Sequence, residues 1–181
     1  MLRTSNCEQA MEPILIEQLP ASRRSLRLAV VTETYPPEIN GVALSLSRFV
    51  EGLRKRNHNI QLIRPRQIQA EQAGSGHGFS ELLTGGVPIP RYPNLKMGLP
   101  ARRALIKQWT LQRPDIVHIV TEGPLGWSAL QAALKLKIPV CSDFRTNFHA
   151  YSLHYGIGWL KKPIVSYLRK FHNRTLMTMV P

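Results

Sequence analysis

The chain has 181 residues, of which 19% are charged and 43% are hydrophobic, a composition typical of a globular domain with a core and not of a disordered chain. Its net charge of +13 favours an anionic partner, such as a membrane surface, a phosphorylated substrate or nucleic acid. Two widely separated cysteines indicate a reduced cytoplasmic protein, and no apolar run approaches the roughly 20 residues of a membrane span.

The first 25 residues are weakly patterned. They contain three glutamates and no apolar block, which argues against a signal peptide. We therefore predict a surface extension over residues 1–25 and a single domain over residues 26–181.

The first strong pattern runs from Leu26 to Leu53. A short apolar run over Leu28–Val31 predicts a buried strand, and a helix with a 3.6-residue period begins after a loop with two prolines. This order is typical of the first βα unit of a Rossmann-like sheet, in which ligands bind beyond the carboxyl ends of the strands. Asn40 can cap the helix, and Gly41 lets an anion approach its free N–H groups. Alternatively, the glycine serves only to set the direction of the chain. The apolar face of this helix comprises Val42, Leu46, Phe49, Val50 and Leu53.

The following elements alternate between strands and helices. We predict a strand over Ile60–Arg64, a loop over Gln67–Gly86, an edge strand over Val87–Tyr92 and a helix over Pro100–Gln112. Next come a strand over Ile116–Val120 and a helix opened by Pro124, with an apolar face of Leu125, Ala129, Leu130, Ala133 and Leu134. The last elements are a strand over Ile138–Cys141, a loop over Ser142–Gly158, a basic amphipathic helix over Trp159–Asn173 and a strand over Leu176–Val180. Alternation of this kind predicts an α/β domain with about six mostly parallel strands.

Three segments carry a joint signal through their order and spacing. They are TYPPEINGVA from Thr34, PDIVHIVTEGPLG from Pro114, and PVCSDFRTNFHAY from Pro139, which runs on to the final TMVP. Together they resemble the N-terminal domain of the family 4 retaining glycosyltransferases, which have the GT-B fold. Within that family, they most resemble the enzymes that glycosylate lipids, including sulfoquinovosyl- and mannosyltransferases.

The resemblance implies a transferase that moves a sugar from a nucleotide-sugar donor to a lipid or another acceptor, with retention and with neither metal nor cofactor. It also implies that Asn40 and Gly41 lie against the donor diphosphate, where backbone N–H groups stabilise the negative charge of the leaving group. In such enzymes a C-terminal domain, which is absent from these residues, holds most donor contacts. We therefore expect no turnover of nucleotide sugar by the 181 residues alone, and turnover when a second domain is joined to them.

The resemblance also gives candidate site residues. His118 and Glu122 are the catalytic candidates, although His118 would equally suit a histidine satisfied by its neighbours and Glu122 a helix cap. Candidates for contact with the acceptor or sugar are Tyr35, Arg145, Thr146, His149 and Tyr151. Arg145 stands where most relatives carry histidine, and arginine cannot act as a general base, although it can grip a phosphate or carboxylate. A structural loop role is equally open for His149 and Tyr151.

Bases on the last predicted helix fit a peripheral contact with an anionic membrane, which would place the protein on the cytoplasmic face of the plasma membrane. These bases are Lys161, Lys162, Arg169 and Lys170. The alternative is a solvated face of a helix that packs on the sheet by its apolar side.

Other functions remain open at this point. A binding protein could keep the acceptor-domain fold without catalysis. A basic nucleic-acid-binding domain would fit the charge, but the sequence lacks an aromatic RNA-binding signature and a helix-turn-helix pattern. A dinucleotide-dependent oxidoreductase is disfavoured, because the first βα loop lacks Gly-x-Gly-x-x-Gly.

Overall fold

A computed structural model describes residues 24–68, 70–89, 92–145 and 161–180. Its strands are β1 (Arg27–Val31), β2 (Asn59–Pro65), β3 (Ser75–Gly76), β4 (Phe79–Thr84), β5 (Gly86–Ile89), β6 (Tyr92–Gly98), β7 (Ile116–Ile119), β8 (Val140–Asp143) and β9 (Met177–Met179). The helices in these ranges are α1 (Gly41–Lys55), α2 (Arg102–Leu111), α3 (Pro124–Lys135) and α4 (Lys161–His172). The predicted division at residue 25 stays a prediction, since residues 1–23 lie outside the described ranges.

The main sheet has seven strands in the order β3-β4-β2-β1-β7-β8-β9. Every neighbouring pair is parallel except β3 with β4. The predicted α/β, Rossmann-like fold with a mostly parallel sheet is thereby confirmed.

The sheet is covered by apolar side chains on both faces. Along β1, Ala29 and Val31 point into a cluster with α2, α3 and Phe171, whereas Leu28 and Val30 point into a second cluster with α1. A strand that is buried on both faces reads as a continuous apolar run, and this explains why β1 was recognisable from sequence.

The predicted loop over Gln67–Gly86 is wrong in its second half, which contains β3 and β4. Strand β4 pairs in parallel with β2 from Ile60 opposite Phe79 to Pro65 opposite Thr84. Its side chains are mostly half-buried, and Glu81 forms an ion pair with buried Arg64, with Nε and Oε1 3.3 Å apart. An edge region stabilised by an ion pair lacks the apolar pattern that identifies a strand.

The predicted edge strand over Val87–Tyr92 needs a different correction. Residues Gly86–Ile89 do form a strand, but it pairs antiparallel with β6 in a separate two-stranded sheet. The strand expected over Ile138–Cys141 lies two residues later, because its pairing with β7 starts at Val140 and brings Ser142 and Asp143 into the sheet.

One residue of the predicted α3 face is also misplaced. Leu134 is 44% exposed, whereas Leu125, Ala129, Leu130 and Ala133 are buried. Leu134 lies in the last turn of α3, at the border of the buried face, where its side chain remains largely in solvent.

Candidate functional site

Three adjacent strands, β1, β7 and β8, end at the carboxyl edge of the parallel sheet, and this edge is where open α/β sheets bind ligands. Helix α1 begins at Gly41, and His118 is the penultimate residue of β7. Both predictions of position are confirmed.

The loop after β1 presents the amino-terminal end of α1. The Asn40 side chain accepts a hydrogen bond from the N–H of Ala43 at 2.8 Å, which confirms the predicted cap, and its amide donates to Thr34 Oγ1 at 2.6 Å. Gly41 is exposed, and a Cβ added there would meet nothing within 4 Å. The first turn of α1 contains no acidic residue. The positive end of the helix dipole is therefore open to an incoming anion.

His118 forms the buried centre of this edge and is 2% exposed. Its Nδ1 lies 3.1 Å from Cys141 Sγ, and its ring centroid is 5.3 Å from that of Phe49 on α1. Its Nε2 lies 3.3 Å from Asp143 Oδ1, a distance that fits an ion pair although the angles do not meet those of a hydrogen bond. Burial alone would lower the pKa of His118, but Asp143 and Cys141 outweigh burial and raise this pKa to about 9. His118 is therefore a cation at neutral pH.

Asp143 and Arg145 extend this centre toward α1. Burial would raise the pKa of Asp143, but His118 and Arg145 hold this pKa below its ordinary value. The guanidinium of Arg145 bonds Asp143 through Nε and donates from Nη1 to Ser45 Oγ at 2.7 Å. Arg145 thus links the end of β8 to α1, and its Nε forms an ion pair with the carboxylate of Asp143.

Glu33, which sequence reasoning missed, covers the start of α3. Its Oε1 accepts from the N–H of Leu125 at 3.1 Å, and its own N–H donates to Thr121 Oγ1 at 2.9 Å. The carboxylate packs so closely that a Cβ on Gly123 would overlap it, at 2.1 Å from Oε1. Burial raises the pKa of Glu33 to about 7 despite the backbone donors of Leu125 and Gly98.

Glu122 turns away from the helix start. No side chain caps α3 from its N-cap position, and the interpretation of Glu122 as a helix cap is wrong because its carboxylate instead faces His172, with Oε1 and Nε2 3.3 Å apart. The other ring nitrogen of His172, Nδ1, lies 2.9 Å from Ser142 Oγ. Glu122 is 3% exposed, and burial, with Asp143 and Glu33 contributing, raises its pKa to about 7. Ser142 is fully buried, so its hydroxyl is not accessible as a nucleophile.

The structure describes only some of the remaining predicted site residues. Tyr35 is half-buried and packs against the α1 cluster, and burial raises its pKa. Lys162, Arg169 and Lys170 are exposed on α4. The other predicted residues, Thr146, His149, Tyr151 and the side chain of Lys161, lie outside the described parts of the chain.

A pocket of about 420 Å³ opens between the start of α3 and one face of α4. Its walls are almost wholly apolar. The lining residues are Glu122, Gly123, Pro124, Trp127, Ile164, Tyr167 and Leu168. In the described ranges, no cluster of three or more His, Cys, Asp or Glu residues is suited to hold a metal ion, and no helix is long and apolar enough to cross a bilayer.

Sequence reasoning missed Asp143 and His172 as well as Glu33. Glu33 and Asp143 stood beside predicted strand ends at the ligand edge, so their position was a usable signal. His172 carried no such signal, because its contact with Glu122 spans 50 residues and depends on how α4 packs.

A parallel sheet whose carboxyl edge combines an open helix start with buried ionisable groups defines a Rossmann-like domain suited to anionic ligands. The family model for Glycosyltransferase Family 4 matches residues 39–181, and the chain belongs to this family. The resemblance drawn from the sequence is confirmed.

Several curated proteins are similar to this chain. The GDP-mannose-dependent alpha-mannosyltransferase of Corynebacterium glutamicum is 29% identical over 162 residues, covering 87% of this chain and 38% of that protein. The sulfoquinovosyl transferase of Arabidopsis thaliana is 24% identical over 156 residues (86% and 30%), and the alpha-monoglucosyldiacylglycerol synthase of Streptococcus pneumoniae is 26% identical over 147 residues (79% and 32%). The chain therefore spans less than half the length of these relatives.

Proposed function

We propose that this chain is the acceptor-side domain of a retaining glycosyltransferase, which transfers a sugar from a nucleotide-sugar donor to a lipid without a metal ion. The observation that carries the proposal is the open start of α1 beside the cationic centre of His118, Asp143 and Arg145. Membership of the family and the names of the relatives support it, since these are mannosyl-, sulfoquinovosyl- and glucosyltransferring proteins.

Transfer of the sugar releases a diphosphate, and positive electrostatic potential stabilises the negative charge that develops on this leaving group. The Gly41 start of α1 supplies N–H groups fixed by the Asn40 cap, so little reorganisation is needed as charge develops. At neutral pH the centre of His118, Asp143 and Arg145 carries two positive charges and one negative charge, which leaves a net positive charge beneath α1. We assign His118 an electrostatic role, because a histidine with a pKa of about 9 is a poor base at neutral pH.

Glu122 is the better candidate for proton transfer within this proposal. A carboxyl group with a pKa of about 7 is divided between its two protonation states at neutral pH, which suits general acid–base work. Glu122 also belongs to the lining of the apolar pocket, but its carboxylate is 2% exposed and faces His172, so we assign it proton exchange with His172 and not direct contact with an acceptor.

A titration of the ¹⁵N-labelled chain with GDP-mannose tests the donor contact. We expect the largest amide shifts at Gly41 and Val42. Gly41→Ala should weaken binding of GDP-mannose several-fold, roughly the effect of losing one close backbone contact. The reason is that a methyl group would then occupy the open space above residue 41. The matched control is Gly52→Ala, also on α1, where a Cβ makes only an ordinary contact at 3.6 Å with Arg56. Equal shifts with NAD, or shifts confined to other parts of the chain, would contradict the proposal.

We further propose a peripheral contact of α4 with anionic membrane, on the inner face of the plasma membrane. Its support is the row of exposed bases on α4 and the net charge of +13. We expect co-sedimentation with phosphatidylglycerol vesicles that is largely lost as salt rises from about 0.1 M to about 1 M, because the screening length falls from roughly 10 Å to about 3 Å.

Neutralising the α4 bases identifies the contact. Glutamine at Lys161, Lys162, Arg169 and Lys170 should weaken vesicle binding more than glutamine at four bases elsewhere, namely Arg102, Arg103, Lys107 and Lys135. Equal losses from both sets would indicate diffuse attraction, and equal binding to neutral vesicles would refute the electrostatic contact altogether.

A further inference from the structure

The pocket between α3 and α4 has an unusual distribution of polar groups. Trp127 and Pro124 form one wall, and Ile164 and Leu168, one helical turn apart on α4, form the other. At about 420 Å³ the pocket lies within the range of roughly 300–1,000 Å³ typical of small-molecule sites. Its polar groups are few and already engaged: the Tyr167 hydroxyl donates to the backbone carbonyl of Glu122, and the buried Glu122 carboxylate faces His172. A sugar ring, which needs several hydrogen-bond partners, would find few on these walls.

Two cations lie against the ring of Trp127, which forms part of one pocket wall. The Lys170 Nζ lies 6.0 Å and the Arg174 Cζ 5.6 Å from the centroid of the Trp127 ring, within the range of cation–π contacts. Both side chains belong to exposed residues. Neither residue belongs to the pocket lining, but together they place a cationic rim beside the Trp127 wall, and this combination is complementary to an amphiphile with an anionic head.

We propose that the pocket holds one acyl chain of an anionic lipid, with the phosphate of its headgroup at the cationic rim of Lys170 and Arg174. The methylenes of the chain would replace water against Trp127, Ile164 and Leu168. The inference deepens the proposed function, on which it rests, by naming the acceptor as an anionic acyl lipid. It differs from attachment to the bilayer surface, since a single lipid enters the protein.

Quenching of tryptophan fluorescence by a brominated acyl chain tests the proposal. The probe is lysophosphatidylglycerol with a brominated chain, added to the 181-residue chain below the concentration at which the lipid forms micelles. Because the chain has a third tryptophan, Trp159, the experiment is made in a Trp159→Phe background. We expect saturable quenching that is largely lost when Trp127→Phe is added, since the remaining Trp109 is fully buried in the core. Quenching unchanged in Trp127→Phe would overturn the proposal.

Two pairs of variants separate insertion from surface adsorption. Ile164→Glu places a charge in the pocket and should weaken binding about tenfold or more, whereas Ser166→Glu adds the same charge at an exposed position of α4 and should change binding about twofold at most. Gln at both Lys170 and Arg174, which leaves the core intact, should weaken binding of lysophosphatidylglycerol and not of lysophosphatidylcholine. Matched losses for Ile164→Glu and Ser166→Glu would show adsorption only and sink the idea.

The two proposals fail separately. If the brominated lipid does not quench while GDP-mannose still shifts Gly41 and Val42, the pocket is closed to lipid and the donor-binding proposal stands. If quenching is seen without the donor shifts, the pocket binds an anionic lipid, but the proposed donor contact at α1 falls, and with it the assignment of that lipid as the acceptor.

Discussion

Asp143→Asn should lower the free energy of unfolding by about 3–5 kcal/mol near pH 6, because it leaves the buried His118 cation without its counter-ion. Both side chains are at most 3% exposed, so water cannot replace the lost carboxylate. Urea unfolding followed by circular dichroism measures the change. The control is Arg145→Gln, which removes a partner of Asp143 that is 29% exposed and should cost about 1 kcal/mol or less.

The same pair predicts the pH dependence of this difference. The pKa of His118 is raised from 6.5 to about 9 on folding, so its contribution is fully present below pH 6.5 and is lost as the pH rises through about 9. The pKa of Asp143 is lowered, so its contribution is present above its ordinary value of 3.8 and is lost as the pH falls through the folded pKa. The gap between wild type and Asp143→Asn should be largest between these limits. A gap that stays constant from acid to alkaline pH would show that His118 is not charged in the fold.

Gly126→Ala should destabilise the domain by about 3 kcal/mol or more, at the upper end of overpacking effects. Gly126 is buried in the first turn of α3, and a Cβ there would lie 2.1 Å from the backbone oxygen of Thr121 and 3.1 Å from Ile119 Cγ2. A backbone carbonyl cannot swing aside as a side chain can, so the turn that carries Glu122 must move.

Gly52→Ala is the matched control for Gly126→Ala. Gly52 lies inside α1 with room for a methyl group, and alanine there should stabilise the domain by about 0.5–1 kcal/mol. Thermal and urea unfolding of both variants would measure the two effects with opposite signs. Equal small effects would mean that the turn before α3 is free to relax.

The elements that could be predicted from sequence are those whose burial is uniform or periodic. Strand β1 is apolar from Leu28 to Val31 because both faces are covered there, and α1 begins at Gly41 because Asn40 supplies a local cap. Strand β4 escaped notice because its place beside β2 is stabilised partly by the ion pair of Arg64 and Glu81. Such a pairing joins residues distant along the chain and leaves no local period.

The candidate site shows the same distinction between features that a local pattern predicts and features that depend on residues distant along the chain. Gly41 and His118 were located by the rule that ligands bind at the carboxyl ends of parallel strands. The state of His118 could not be predicted, because its charge depends on Asp143, which belongs to another strand. The apolar pocket could not be predicted either, since its two walls come from helices separated by 25 residues, 136–160.

Glu33 affects where on the domain an anionic ligand can bind. Two helices, α1 and α3, point their amino-terminal ends at the same edge, and each would attract a phosphate group on its own. At α3 the protein has filled that place with a carboxylate of its own, held by the N–H of Leu125. An incoming anion therefore meets a free helix start at α1 and an occupied one at α3, and this difference is set by folding, before any ligand binds.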